Sequence, residues 1–179
     1  GLAALSDKNL KQAQDRKDGQ DMMNLRLPEG ERDAIRAALS GMTVKVGNRE
    51  MSILDAGGNA DKEIDTFHHT PDLTKSLDEK QIKQLNTEMA KIYALEDELR
   101  KNPAYKLEMP KFTEVTGDDP DELRRLAKLR AKEEADFARK KAEIDARIAE
   151  DLWIPLQRQG VIPENLVPQK YSAVIEQFD

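Results

Sequence analysis

The chain has 179 residues, of which 36% are charged, 38% are hydrophobic and only 4% are aromatic. This proportion of charge is higher than a compact globular domain usually carries, and it favours an elongated protein built from paired helices. The net charge of −6 provides no overall attraction to nucleic acid or to an anionic membrane, and the lack of cysteine excludes disulfides, thiolate metal sites and a cysteine nucleophile. No apolar run approaches the roughly 20 residues that cross a bilayer, so we expect no membrane insertion.

The N-terminal part of the chain predicts short helices and one β-hairpin. Residues 6–17 have the polar pattern of a short helix, and Gly19 is expected to end it. Residues 28–40 predict a second helix, with a proline at its first position and a glycine after its last turn. The pattern changes to alternating apolar and polar residues over about residues 42–54, around the pair Gly47-Asn48. Such a pattern is typical of a tight β-hairpin.

A long polar connection separates this part from the rest of the chain. Residues 55–75 contain two adjacent glycines, and unstructured loops of this length are uncommon inside compact domains. The sequence therefore predicts two domains, over residues 1–75 and 76–179. His68 and His69 lie in the connection, but neighbouring side chains usually point apart, and no complete set of metal-ligand spacings accompanies them. We predict no metal site and no cofactor.

The second half of the chain predicts two long helices. Ser76 and Glu79 fit a capping box that starts a helix over about residues 77–101, and its apolar residues follow a heptad seam that is interrupted once, by Glu96. Asp119 is the expected cap of a helix over about residues 119–153. Small residues allow a neighbouring helix to approach closely, so the first helix is expected to pack against a row of alanines on the second. These are Ala131, Ala135, Ala138, Ala142 and Ala149.

An apolar tail with several prolines follows the second long helix. Pro155 is expected to end that helix, because the residue before a proline avoids helical angles. The tail is poorly suited to solvent, so it should lie along the β-hairpin or reach into another subunit. Trp153, just before it, either anchors an interface, where tryptophan is enriched, or closes an internal apolar cluster. The predicted partner-binding residues are Trp153, Leu156, Val161, Ile162, Leu166, Val167, Tyr171, Ile175 and Phe178.

A cluster of cations near the start of the second long helix supports an alternative function. Clustered cations on a helix can neutralise the phosphates of nucleic acid or of another polyanion. Acidic residues flank the cluster, and few aromatic residues are present for stacking on single strands. The candidate polyanion-binding residues are Arg124, Arg125, Lys128, Arg130 and Lys132.

Together these patterns predict a mainly α fold. Its central element is an antiparallel, coiled-coil-like hairpin of two long helices, preceded by a small module of helices and a β-hairpin and followed by an extended apolar tail. No serine lies in the glycine-rich context of a nucleophile elbow, so we predict no enzyme. The leading hypothesis is a non-enzymatic assembly or adaptor protein that binds a protein partner or forms a homo-oligomer. A structural component of a larger particle, such as a virion or a secretion apparatus, is one form of this hypothesis.

Overall fold

A computed structural model describes residues 2–46, 49–53, 77–171 and 174 of the chain. The protein is mainly α-helical, as the sequence predicts. Its helices and strands are α1 (Leu2–Arg26), α2 (Glu29–Ser40), β1 (Thr43–Val46), β2 (Arg49–Ser52), α3 (Glu79–Leu99), α4 (Pro120–Ile148), a π-helical turn (Ala149–Trp153), α5 (Ile154–Arg158) and two 3₁₀ turns (Glu164–Leu166 and Gln169–Tyr171).

The strands β1 and β2 pair antiparallel, with Thr43 opposite Ser52 and Val46 opposite Arg49. The Ile53 N–H continues the pairing by donating to the carbonyl oxygen of Met42 at 2.9 Å. Met42 and Ile53 are both buried, so the end of the ladder is fixed to the core.

The helix α1 is longer than predicted, because Gly19 does not end it. Gly19 is buried in the middle of a helix that runs from Leu2 to Arg26. A Cβ added at Gly19 would lie 2.8 Å from Cδ1 of Leu99 and 3.0 Å from Cε2 of Tyr105. The glycine therefore lets α1 approach the C-terminal end of α3 closely. The side-chain amide of Asn102 also donates to the carbonyl oxygen of Asp15 at 2.8 Å, across the same contact.

This close contact predicts opposite effects for two glycine-to-alanine changes. Gly19→Ala should lower the free energy of unfolding by about 1 to 2 kcal/mol, because overpacking against two buried side chains outweighs the gain in helix propensity. Gly30→Ala should raise it by about 0.5 kcal/mol, because a Cβ at this exposed position in α2 would meet nothing within 4 Å. Urea denaturation measures both, and equal effects at the two sites would contradict the close approach.

The core contains residues from both sides of the predicted domain boundary. Met23 and Leu27 of α1 and Ile35 and Leu39 of α2 belong to the same buried cluster as the apolar residues of α3. The connection over residues 55–75, where the boundary was predicted, lies outside the described residues. The start of α3 differs slightly from the prediction, because Asp78 is the cap and shares a capping box with Gln81.

The predicted antiparallel hairpin of two long helices is wrong in its pairing. The apolar residues of α3 pack on α1 and α2 and share a buried cluster with the end of the second long helix, whereas Ala131, Ala135, Ala138 and Ala142 of α4 are exposed. Only one of the five predicted seam alanines, Ala149, is buried. Burial stabilises in proportion to apolar area, at about 25 cal/mol per Å². The larger leucine, isoleucine and methionine side chains of α1 and α2 therefore bind the seam of α3 more strongly than alanines can.

The second long helix also continues past the residue expected to end it. The N–H of Ile154 donates to the carbonyl oxygen of Ala149, five residues earlier, which widens the helix just before Pro155. A wide turn accommodates the proline ring, which would clash with a carbonyl in a regular α-helix. The helix ends at Gly160, whose φ is +70°, and Val161 N–H donates to the carbonyl oxygen of Leu156 at 2.9 Å. This is a Schellman end, in which glycine adopts the left-handed conformation.

Candidate functional site

An arm extends from the core and is the main exposed feature of the described chain. We define the arm as residues 106–143, which comprise an extended segment (106–119) and most of α4. No residue of the arm is buried, whereas Ile148, Ala149 and Leu152 further along are buried in the core. The arm is therefore joined to the core at one end of α4 and is exposed over the rest of its length.

The extended segment packs along α4 through a few specific contacts. The backbone N–H and the hydroxyl of Thr113 donate to the two carboxylate oxygens of Glu133, at 2.9 and 3.1 Å. These hydrogen bonds, first that of the side chain and then that of the backbone, lower the pKa of Glu133 below its ordinary value. Phe112 meets Phe137 edge to face, with ring centroids 5.9 Å apart, and the guanidinium of Arg130 lies 5.8 Å from the centre of the Phe112 ring. The segment thus covers one side of α4 and leaves its alanine side open.

The candidate polyanion-binding residues all lie on the arm, and all five are exposed. Three of them bind carboxylates of their own helix. Arg124 contacts Asp121, Arg125 contacts Glu122 at 2.5 Å, and Arg130 contacts Glu134 at 2.9 Å. The hydrogen bond from Arg125 lowers the pKa of Glu122. The local positive charge is therefore partly neutralised within α4.

The predicted partner-binding residues mostly lie inside the chain. Trp153, Leu156, Val161, Ile162, Val167 and Tyr171 are each at most 8% exposed, and Leu166 is partly buried against the same core. Ile175 and Phe178 lie outside the described residues. The described part of the apolar tail, up to Tyr171, thus packs in the protein's own core, so a partner could reach these side chains only if that part of the tail opened. Of the two interpretations of Trp153, the internal cluster describes its position here.

Two buried carboxylates connect the tail and the helices, and the first is Glu96 of α3. Glu96 is 5% exposed. One of its carboxylate oxygens accepts from Trp153 Nε1 at 3.0 Å and from the hydroxyl of Tyr171. Arg100 donates to the same Tyr171 oxygen at 2.9 Å and to Asp145 at 3.3 Å. Glu96 thus holds the tail and the π-helical turn against α3.

The second buried carboxylate is Asp151, in the π-helical turn. Its side chain is 4% exposed, and it accepts two hydrogen bonds from Arg16 of α1, at 2.9 and 2.6 Å. The hydroxyl of Tyr105 donates to Asp151 at 2.5 Å. The hydrogen bond from Arg16 to Asp151 outweighs the effect of partial burial and raises the pKa of Arg16, so the guanidinium stays charged throughout the physiological range. Asp151 fixes α1 to the second long helix.

These contacts predict an abnormal alkaline titration of the tyrosines. The chain has three tyrosines, and the pKa of each is raised, first by burial and then by a nearby carboxylate, which is Glu96 for Tyr93 and Tyr171 and Asp151 for Tyr105. Because the folded pKa values exceed the ordinary 10.0, the stability that the protonated phenols provide is complete below pH 10.0 and is lost as the pH rises further.

The measurement is phenolate absorbance followed together with helical circular dichroism. At pH 10.0, where an ordinary tyrosine is half ionised, we expect Tyr105 and Tyr171 to remain protonated. At higher pH the phenolate signal of these two buried residues should appear in one cooperative step with the loss of helix, whereas Tyr93, which is 42% exposed, can ionise in the folded chain. A gradual titration of all three tyrosines centred on pH 10.0 in a folded chain would contradict the buried arrangement of Tyr105 and Tyr171.

Other candidate sites receive no support from the described residues. His68 and His69 lie outside them, and within them no group of three or more histidine, aspartate or glutamate side chains is arranged to hold a metal ion. None of the helices in the described ranges combines enough length with enough apolar residues to span a bilayer.

The sequence contained a signal for Glu96 but none for Asp151. A single glutamate that interrupts an apolar helical seam indicates a buried, hydrogen-bonded carboxylate, since an unpaired buried charge is costly. Asp151 lies among other charged residues of the second long helix, so its pattern does not distinguish it. The geometry contains an exposed arm and two structural carboxylates. Comparisons of this chain with protein-family models, with curated proteins and with solved structures found no match.

Proposed function

We propose that this protein is a non-enzymatic assembly or adaptor protein, and that its arm is the surface that contacts a protein partner or other copies of the chain. The observation that supports the proposal is that no residue of the arm is buried and that the alanine side of its helix is exposed, in contrast to the well-buried end of the same helix. A structural role in a larger particle, such as a virion or a secretion apparatus, is one form of this proposal.

The energetics of the arm favour a partner. Most helical stability in proteins comes from burying an apolar face. The exposed part of α4 has ion pairs three and four residues apart, each worth about 0.2 to 0.5 kcal/mol. It also exposes Leu129, and the extended segment exposes Met109 and Val115. A partner that covers these groups would supply the burial that the chain itself does not.

The helix α4 does not form a coiled-coil-like pair with α3. We propose that it forms such a pair with a helix of the partner instead. Ala131, Ala135, Ala138 and Ala142 are exposed on α4 and lie three or four residues apart. Small side chains at such steps allow a second helix to approach closely. We therefore expect the partner to present a helix with larger apolar side chains.

The test compares two pairs of added charges. The double variant Ala131→Arg, Ala138→Arg places charges on the exposed alanines of α4, while Ala90→Arg, Ala94→Arg adds the same charges at exposed alanines of α3. Both should change the free energy of unfolding by less than about 0.5 kcal/mol per site. Light scattering over a range of concentrations should give a mass above the monomer's 20.3 kDa for the unchanged chain and for the α3 variant. The α4 variant should remain at the monomer mass.

Amide hydrogen exchange tests the proposal if the partner is another protein rather than a second copy of this chain. If the chain is monomeric at every concentration, amides of α4 within the arm should exchange much faster than those of α3, because the arm lacks tertiary burial. A monomer whose arm amides are as protected as those of α3 would show that the arm needs no partner, and the proposal would fail.

The alternative function is polyanion binding through Arg124, Arg125, Lys128, Arg130 and Lys132. It is favoured by the exposure of all five cations on the arm, and it is weakened by the ion pairs that three of them form within α4. Fluorescence anisotropy with labelled DNA and RNA tests it. The double variant Lys128→Gln, Lys132→Gln should weaken binding and reduce its salt dependence, whereas Lys140→Gln, Lys141→Gln should have a smaller effect. Absent or salt-independent retention would dismiss this alternative.

A further inference from the structure

A cavity of about 190 Å³ lies between α1, α3 and the last turns of the second long helix. Its apolar wall includes Leu95, Leu152 and Leu156, and its polar wall includes Arg32, Asn24 and Gln159. A cavity of about 150 Å³ accepts a molecule the size of benzene. This one therefore has room for a ligand of roughly six to nine non-hydrogen atoms, with an apolar part and one polar group.

The polar wall carries a positive charge that no carboxylate of the described chain neutralises. Arg32 donates from Nε to the carbonyl oxygen of Leu27 at 2.9 Å and from its two terminal nitrogens to the side-chain oxygens of Gln159 and Asn24, at 2.8 and 3.0 Å. All three acceptors are neutral. By contrast, Arg16 and Arg36 bind carboxylates.

The Arg32 guanidinium retains donors for a ligand. A guanidinium has five N–H groups, and three of those of Arg32 are used by the acceptors named above. The one acid in the cavity wall, Asp151, has both oxygens engaged by Arg16 and Tyr105, and Arg16 balances its charge. An anion beside Arg32 would therefore meet a net positive site. A carboxylate matches the fork of an arginine and, with a short hydrocarbon part, stays within the volume of this cavity.

We propose that this cavity binds a small aliphatic carboxylate. Its carboxylate accepts hydrogen bonds from the two remaining N–H groups of Arg32, and its hydrocarbon part packs against Leu95, Leu152 and Leu156. The inference is independent of the proposed assembly function, because the cavity involves no residue of the arm.

The first experiment uses the unchanged chain and two probes of the same shape. Isocaproate carries the carboxylate, and isocaproamide replaces it with a neutral amide. In two-dimensional amide NMR spectra, isocaproate should shift the signals of Gln20, Leu95 and Leu152 saturably at millimolar concentration. Isocaproamide should bind at least ten-fold more weakly. Equal binding of the two probes, no binding of either, or shifts confined to residues away from the cavity would overturn the proposal.

The second experiment separates ligand binding from a purely structural role of the arginine. Arg36 is a matched control, because it also binds the end of α5, through the carbonyl oxygen of Gln159, but does not line the cavity. Arg32→Gln should remove the preference for isocaproate over isocaproamide, and Arg36→Gln should leave it unchanged. Equal losses in the two variants would show that both arginines only hold α5 in place, and would overturn the proposal. If Arg32→Gln does not fold, the comparison of the two probes on the unchanged chain decides alone.

Discussion

Replacement of Glu96 by alanine is expected to lower the free energy of unfolding by about 4 kcal/mol, the largest effect of any change we propose. The alanine would leave two fully buried donors, Trp153 Nε1 and the Tyr171 hydroxyl, without their acceptor. An unsatisfied buried donor costs about 2 kcal/mol. Urea denaturation measures the loss, and Trp153, the single tryptophan, reports the same transition by fluorescence.

Two further variants make this prediction specific. Glu96→Gln keeps one carbonyl oxygen as acceptor, so its loss should be about 1 to 2 kcal/mol. Asp97→Ala alters the neighbouring carboxylate of α3, which is exposed, and should cost less than about 0.5 kcal/mol. A Glu96→Ala variant no less stable than Asp97→Ala would show that the buried carboxylate does not hold the tail.

Replacement of Asp151 by alanine is expected to cost about 3 kcal/mol. The change removes both hydrogen bonds that Arg16 makes to Asp151 and leaves the Tyr105 hydroxyl, which is fully buried, without an acceptor. Because the Arg16 side chain is 32% exposed, water recovers part of its lost interaction, and the expected cost is at the lower end for a broken buried ion pair. Chemical denaturation with an unchanged slope would show a loss of stability rather than a change in the unfolded state.

The control for Asp151 is the adjacent acid. The Glu150 carboxylate also approaches Arg16, at 3.6 Å, but its side chain is 51% exposed. Exposed ion pairs contribute between about 0 and 1 kcal/mol, so Glu150→Ala should have little effect. If Glu150→Ala and Asp151→Ala lowered the free energy of unfolding by similar amounts, the general attraction of Arg16 for acids, rather than the buried position of Asp151, would account for the loss.

These two carboxylates bear on the proposed function because they link the π-helical turn, which follows α4, to α1 and α3. Asp151 lies one turn after the last residues of α4, and Glu96 binds the residue at the end of the same π-helical turn, Trp153. The arm is thus fixed to the core at its base while the rest of it lies in solvent. A partner that binds the arm would meet a helix whose position relative to the core is already determined, which reduces the entropy lost on binding.

The local signals in the sequence predicted the helices well where a cap or a proline acts within one turn. Asp119 caps α4 and accepts from the backbone N–H of Asp121, with Pro120 at the first position, as expected. The predicted helix over residues 28–40 agrees with α2 to within one residue. The same local reasoning was wrong at Gly19 and Pro155. A glycine can end a helix or permit a close contact inside one, and a proline can end a helix or follow a wide turn within it. Which of these occurs depends on residues that lie far away in the sequence.

What the sequence determined by itself was the helical class of the protein, the start of α4 and the absence of cysteine chemistry, because composition, capping and periodicity depend on neighbouring residues. Only the tertiary structure decided which helices pair, because several apolar faces compete for the seam of α3. Those of α1 and α2 bury more area than the alanines of α4, which therefore remain exposed on the arm. The tertiary structure likewise placed Trp153 and Tyr171 in the core, since their hydrogen-bond acceptor, Glu96, lies 57 and 75 residues away along the chain.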